Sequence, residues 1–331
     1  VRILLKIFLP IFLLLATAAG GMWWWANKPL SLRNSPLDFR VTAGSSLRSA
    51  IAQMREAGID VEPTLLAMLA RLNRADTAIK AGSYAVKTGI TPAQLIDKLL
   101  KGKVTQGELT LVEGWTFRQW RGRMDNHPDL NHETRGLSEA QIIAQLGLNI
   151  KSLEGQLFPD TYLFDKQSTD LELLARANRA MLRKLDSEWV QRAADLPYRT
   201  PDEALIMASI IEKETGREAD RNLVAAVFVN RLRKGMLLQT DPTVIYGLSD
   251  NFDGNLRKRD LLNDTPYNTY TRRGLPPTPI AMPGQASLRA ALNPASSEAL
   301  YFVARGDGSS HFSQTLDEHN NAVNRYQKGG K

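Results

Sequence analysis

Two glutamates close an otherwise apolar run, Ala208-Ser209-Ile210-Ile211-Glu212-Lys213-Glu214-Thr215. Burying an unpaired carboxylate is costly, and the group protonates instead unless it finds a partner. A carboxyl kept protonated near neutral pH is what general acid catalysis needs. In a helix, at about 100° per residue, Glu214 shares a face with Met207, Ile210 and Ile211. Glu212 falls with Leu205, Ala208 and Ser209. The two acids therefore occupy opposite faces and do not form a facing dyad. Glu214 stands at the rim of an apolar wall, where loss of water raises a carboxyl pKa. The competing reading pairs both glutamates with Lys213, Arg217 or Arg221 as surface ion pairs.

The helix that must carry them is legible. Thr200, Pro201 and Glu203 form a capping box with proline in the first turn. Ala204 to Ile211 is apolar nearly all round, which predicts full burial, and Gly216 is the expected stop. A second helix starts at an Asp220 N-cap, runs on a stripe of Leu223, Val224, Val227, Phe228 and Leu232, and ends at Gly235. The stretch Leu237–Gly247 mixes strand residues with polar ones. Pro266–Thr271 and Gly274–Pro277 read as polar, aromatic loops. Ser287–Leu292 is a short helix, and Tyr301–Ala304 a buried strand paired with His311-Phe312 across a Gly306-Asp307-Gly308 turn. Upstream, Val112–Thr116 leads into a helix at Phe117–Arg123. Residues 153–162 form a turn-rich aromatic loop suited to lining a sugar cleft, with Phe158 and Tyr162 equally able to plug the core, and Leu171–Val190 is a long amphipathic support.

The 331 residues divide by pattern. Ile7 to Ala26 is 20 residues without a charge, closed by Trp23-Trp24-Trp25, long enough to span a hydrocarbon core of about 30 Å with an aromatic belt. A cleaved signal peptide, with Ala16-Thr17-Ala18 as its cleavage site, is the alternative. Arg2 and Lys6 before the span nearly balance Lys28 and Arg33 after it, so the positive-inside count leaves orientation open. The large portion following one short span suggests export of that portion. Residues 1–26 are thus a transmembrane anchor that meets membrane lipid through 7–26. Residues 27–37 are a linker, 38–107 a small α+β module of strand–helix units, and 108–331 a larger mixed α+β domain. The fold class is α+β throughout, after the anchor helix.

A net charge of +7 suggests an anionic partner. The basic residues are interleaved with acids and lack aromatic-basic motifs, which argues against nucleic acid. No cysteine is present, so thiolate metal sites and disulfides are excluded. GxGxxG, GxxxxGK[ST] and GxSxG are absent. His127, His132, His311 and His319 lack HExxH spacing and read as surface or turn residues rather than metal ligands. No metal and no cofactor is implied.

Acid chemistry supported by amides and hydroxyls remains. Ordinary glycosidases use two carboxyls about 5–5.5 Å or about 6.5–9.5 Å apart, with Asp241 or Asp160 as the partners available here. A single carboxyl suffices when the substrate supplies the nucleophile. A muramoyl C6 hydroxyl attacks its own anomeric carbon while the acid first protonates the leaving oxygen and then takes the hydroxyl proton. The product is a 1,6-anhydro ring, and no water is consumed.

Ala208–Thr215, together with Gln239–Gly247, Tyr267-Asn268-Thr269-Tyr270 and Gly274-Leu275-Pro276-Pro277, resembles the membrane-bound endolytic murein transglycosylase family. Leu111–Gly114 and the Leu-Glu-Gly…Phe-Pro-Asp-Thr-Tyr loop at 153–162 are similar to it as well. The likeness spans nearly the whole chain. It departs at Thr278, where many relatives carry glycine. It implies a lysin-motif-like small module and Glu214 as the catalytic glutamate. It also implies action on nascent peptidoglycan strands on the periplasmic side of the inner membrane, beside peptidoglycan synthases (penicillin-binding proteins). Glu212, Gln239, Asp241, Tyr246, Asn268 and Tyr270 are the candidates for supporting the site, orienting the sugar or stabilising oxocarbenium charge. Each of these groups has the alternative of satisfying backbone in its own loop. Two other functions stay open: a non-catalytic anchored scaffold that holds glycan, and a water-using hydrolase.

Overall fold

The computed structural model describes residues 2–42, 44–74 and 78–329, without the side chains of residues 2–8. Val1, Gly330, Lys331 and the side chains of Arg2 and Lys6, assigned to the anchor and the larger domain above, lie outside the described residues. The chain forms two compact units. One comprises residues 1–108 with 129–131 and 163–168, and the other comprises 109–128, 132–162 and 169–331.

The first unit begins with α1 (Arg2–Ala26). Its Leu9–Ala26 segment is long and apolar enough to cross a membrane, a test that a signal sequence also passes. Trp23 and Trp24 are exposed, whereas Ala26 is buried and Met22 and Trp25 pack on the core of this unit. Next come β1 (Ser31–Leu32), β2 (Leu37–Val41), α2 (Leu47–Ala57), β3 (Ile59–Asp60), α3 (Pro63–Leu72), β4 (Gly82–Val86) and α4 (Pro92–Lys101). Part of the stretch read as a linker is ordered: Ser31 and Leu32 pair with Asp60 and Ile59, and Leu30 and Leu32 pack on the core. β2 and β4 pair antiparallel in a register that puts Phe39 opposite Tyr84, their rings stacked 5.5 Å apart. The helix limits follow local chemistry. Ser46 caps α2 and a left-handed Gly58 ends it; Thr91 and Gln94 form a full capping box on α4.

β5 (Gln106–Leu111) pairs with β6 (Asp160–Asp165), so Asp160–Tyr162 is strand rather than the loop expected there. The second unit adds α5 (Phe117–Asp125), α6 (Glu139–Gln145), α7 (Asp170–Val190), α8 (Pro201–Glu214), α9 (Arg221–Arg233), α10 (Asp241–Leu248), α11 (Lys258–Leu262) and α12 (Gln285–Leu292). The hairpin β7 (Tyr301–Ala304)–β8 (Ser310–Ser313) and α13 (Leu316–Val323) follow. α8 is the centre of this unit. Every residue from Ala204 to Ile211 is buried, and α7, α9, α10 and α12 pack around it. β7 and β8 pair in the expected hairpin, with Phe302 opposite Phe312.

Several local expectations are corrected. Only half of the capping box on α8 forms: Thr200 accepts from Glu203 N, but the Glu203 carboxylate turns to Arg199 N. The helix ends on Thr215, not through a left-handed Gly216. The Thr215 backbone is extended, and its N–H and hydroxyl both donate to Ile211 O. Asp220 holds the N-cap position of α9, yet its carboxylate accepts from Ser310 N (2.7 Å) instead of capping. The segment with strand-like composition, Val244-Ile245-Tyr246, is helical. Pro242 in the first turn of α10 pre-sets the backbone and offers no N–H to a sheet.

Candidate active site

Glu214 is the last residue of α8 and Thr240 the residue before α10; α8 and α10 are in contact. Thr240 is fully buried, and its hydroxyl donates to Glu214 Oε1. Its own N–H donates to Thr269 Oγ1 (3.1 Å), and its carbonyl accepts from the Thr243 hydroxyl (2.7 Å). The Thr269 and Thr243 hydroxyls thus fix the backbone of Thr240, whose own hydroxyl is the donor to Glu214. Glu214 is half-buried. Burial is the main cause raising its pKa; the Asp241 charge raises it further, while the Thr240 hydroxyl and the Arg231 charge pull it down. A raised value favours the protonated form that a general acid needs. In Thr240→Val the carboxylate loses its donor, so the Glu214 titration, followed by carboxyl carbon NMR, is expected at higher pH than in the unmodified chain.

Arg231, on α9, is the other group that bears on Glu214. It is buried, donates from Nε to Leu300 O (2.7 Å) and from Nη1 to Leu238 O (2.8 Å), and lies over the Tyr301 ring. Its Nε and Nη1 are held by backbone carbonyls, so it acts on Glu214 as a fixed charge.

Glu212 faces a different neighbour, as the helical spacing requires. Its Oε2 accepts from Gly284 N (3.0 Å), and Lys213 donates to Gly114 O (3.2 Å). The end of α8 thereby fastens residues 112–115, which pair with Met282 through Gly114 N–Met282 O and Met282 N–Trp115 O (both 2.8 Å). Glu113 lies hard against Gly284, and burial, then the Glu212 charge, raises its pKa. A side chain at position 284 would displace the Glu113 carboxylate.

The remaining candidates divide. The Tyr270 hydroxyl donates to Asp241 Oδ1, which puts both beside Thr240. Gln239 is exposed, in left-handed backbone, with its Oε1 3.4 Å from Arg231 Nη1. Asn268 is fully buried. Its amide donates to the Asp260, Leu261 and Asn263 carbonyls, and its Oδ1 accepts from Tyr270 N. Its polar atoms are thus taken up by backbone, and it sets the loop that carries Tyr270. Asp160 is exposed on β6.

Tyr246 leads to a residue that sequence reasoning missed. Its hydroxyl donates to Glu154 Oε2 (3.2 Å), and Glu154 also accepts from Phe117 N at 3.1 and 3.2 Å. Glu154 is only 4% exposed. Burial pushes its pKa up to about 7 against the two donors. The one sequence signal was an acid inside an apolar, glycine-containing loop. Thr278, the position that departs from the murein transglycosylase pattern, shares a hydrogen bond with the Tyr267 hydroxyl (2.8 Å), and Tyr267 meets Tyr246 edge-on at 4.9 Å.

His132 is not merely a turn residue. Among the described residues it joins Asp125 and Asp170, with three side-chain ligand atoms within 4.8 Å of one another. The Asp170 carboxylate accepts from Thr134 N, the Thr134 hydroxyl (2.6 Å) and Leu171 N (2.8 Å). These bonds brace the start of α7.

The family model that matches this chain, the YceG-like family, covers residues 39–325. A Bacillus subtilis (strain 168) protein named endolytic murein transglycosylase is 33% identical over 309 residues, covering 88% of this chain and 84% of the relative. A protein of the same name from Streptococcus pneumoniae serotype 2 (strain D39 / NCTC 7466) is 28% identical over 316 residues, 86% of this chain, which spans 57% of that longer relative. The 2.6 Å crystal structure of a YceG-like protein from Listeria monocytogenes superposes with a TM-score of 0.54 at 31% identity, covering 86% of this chain and 98% of that one. By matched length, and by identity over most of the chain, this protein belongs to the YceG-like family.

Proposed function

We propose that this protein is an endolytic murein transglycosylase, a lyase that cuts peptidoglycan glycan strands internally and leaves 1,6-anhydro-muramoyl ends, limiting strand elongation. The observation that carries the reading is the Glu214 carboxyl, set at the end of a buried helix, held by the Thr240 hydroxyl and raised in pKa by burial. Protonated Glu214 donates to the glycosidic oxygen as the C1–O bond breaks. The resulting carboxylate then takes the proton of the muramoyl C6 hydroxyl as its oxygen bonds to C1. Asp241 and Tyr270, joined to each other beside Thr240, face the developing positive charge at C1. Glu212 acts by fixing the 282–284 segment, and Asn268 by fixing the Tyr270 loop; Gln239 orients the sugar from the exposed side.

The names of the Bacillus and Streptococcus relatives support the substrate. Docking of Met22, Trp25 and Ala26 on the core of the first unit supports a retained anchor rather than a cleaved leader. The small module is proposed to be lysin-motif-like and to hold glycan, with the bulk of the chain on the periplasmic side, beside synthases.

A second reading has one observation in its favour. Asp241 acts electrostatically on Glu214 and is the acid that a water-using hydrolase would recruit. Mass spectrometry of muropeptides released from sacculi separates the two. The transglycosylase reading expects anhydro-ended fragments. Fragments heavier by one water would establish the hydrolase, and binding without release would establish the scaffold.

A further inference from the structure

We propose that Glu154 is a positioning residue that sets the polarity of the hydrogen bond Tyr246 offers the glycan, donor when Glu154 holds a proton and acceptor when it does not. The inference rests on the glycan-cleaving function proposed above and adds to it a residue outside the Glu214 cluster.

The geometry is that of a buried carboxyl with two kinds of neighbour. On one side is the Phe117 N–H, at the first position of α5, within 3.1–3.2 Å of both oxygens. On the other is the Tyr246 hydroxyl, 3.2 Å from Oε2. An ionised carboxylate can only accept hydrogen bonds. Tyr246 must then donate inward, and its oxygen shows lone pairs to the outer side. A protonated carboxyl carries one O–H. Donated from Oε2 to the Tyr246 oxygen, that O–H frees the phenol hydrogen to point outward, while Phe117 N–H stays on Oε1. One proton from solution is taken up, and no other bond changes.

Tyr246 is suited to transmit this state. It is half-buried rather than sealed in the core, and the Tyr267 ring steadies it edge-on. It also rides on α10, the helix that follows Thr240, the hydroxyl donor to Glu214. The acetamido carbonyl of an N-acetylated amino sugar can only accept a hydrogen bond. It therefore pairs with the donor state of Tyr246, and the proton on Glu154 favours binding.

The groups around Glu154 leave both states reachable. α5 supplies the Phe117 N–H. α6 supplies Glu139, whose charge opposes ionisation while its Oε1 is held by Ser152 Oγ (2.7 Å) and Leu153 N (2.6 Å). α8 supplies Lys213, which favours ionisation from its bond to Gly114 O. α10 supplies Tyr246. The segment 279–282, packed on Gly155, brings Pro279, Ile280, Ala281 and Met282, none of them titratable. The balance lies at about 7, dominated by burial.

The test measures binding of a peptidoglycan tetrasaccharide by calorimetry in a Glu214→Gln background, which removes cleavage and the titration of Glu214 together. Between about pH 6 and about pH 8 the protonated fraction of a group titrating near 7 falls about tenfold, and affinity is expected to fall with it. In Glu214→Gln/Glu154→Gln the amide donates permanently to Tyr246, so affinity is expected to stay at its low-pH level at both values. Glu214→Gln/Tyr246→Phe keeps the ring without the hydroxyl and is expected to bind weakly with no pH dependence; it carries the test if the Glu154→Gln chain does not fold. Affinity that is flat with pH in the Glu154-containing chain, or that still falls in the Glu154→Gln chain, would overturn the inference while leaving the glycan reading intact. Absence of binding at every pH in folded protein would remove the glycan reading itself, and this inference with it.

Discussion

Glu214→Gln is expected to lower kcat for release of anhydro-ended fragments by about a thousandfold, within the range a positioned general acid contributes. The amide has the shape of the carboxyl and still accepts the Thr240 hydroxyl, but it has no proton to give the leaving oxygen and no basic site for the C6 hydroxyl proton. The fold is expected to survive, and at alkaline pH to gain. The pKa of Glu214 is raised in the native state, so folded protein binds its proton at pH values where unfolded protein has lost it. The stability contribution of this group is therefore greatest at low pH and declines once pH passes the unfolded value of the carboxyl and continues up to the native one. Gln removes that decline. Thermal melts at pH 8 should place Glu214→Gln at or above the unmodified chain, while mass spectrometry shows the product gone. Turnover within a few-fold of normal would end the assignment of Glu214.

Gly155→Ala is expected to be the most damaging single methyl in the second unit, with a loss of about 3 kcal/mol in folding free energy. Two costs add. Gly155 sits at φ +76°, where any other L-residue is strained. A Cβ there would collide with the Pro279 ring, Cγ being 2.5 Å away, and would reach to 3.5 Å from Ala281 O. A proline ring held between Thr278 and Ile280, whose N–H is bonded to Ser209 Oγ (3.0 Å), has little freedom to retreat. The same glycine donates its N–H to Met282 Sδ (3.2 Å), so displacement would move Glu154 as well. Urea denaturation measures the loss. Gly155→Ala/Pro279→Gly, which removes both the Cβ and the Cγ of residue 279, should recover the steric share but not the backbone share. A loss below about 1 kcal/mol in the single variant would mean that 155 and 279 are not in contact.

The two acids of α8 show how far local pattern reaches. Helical geometry alone separates positions 212 and 214, and the structure sends Glu212 to Gly284 and Glu214 to Thr240. The burial of Ala204–Ile211 was equally readable, because a helix apolar on every side has no stable place except a core. The β7–β8 hairpin was readable too, because its apolar run and glycine turn lie within a few residues of each other, although of Tyr301–Ala304 only Val303 is buried.

Val244-Ile245-Tyr246 shows the limit. Its β-branched and aromatic residues favour a strand, and Pro242, one position into the helix, overrides them. Asn268 shows another. An amide in a polar loop looks available to a ligand, and only the folded-back carbonyls of α11 and its C-terminal neighbour reveal that it is occupied.

Short-range physics in the chain itself determined the apolar segment able to cross a membrane, the central buried helix and the direction in which Glu214 leaves it, whereas Glu203 and Asp220, at the starts of α8 and α9, took partners other than the caps the local pattern offered. Tertiary structure alone decided which groups surround each acid. Glu154 stands 92 residues before Tyr246, and Thr240 26 residues after Glu214. A carboxyl's pKa depends on the water excluded and the donors supplied by whatever packs on it, and those neighbours come from segments with no local relation to it.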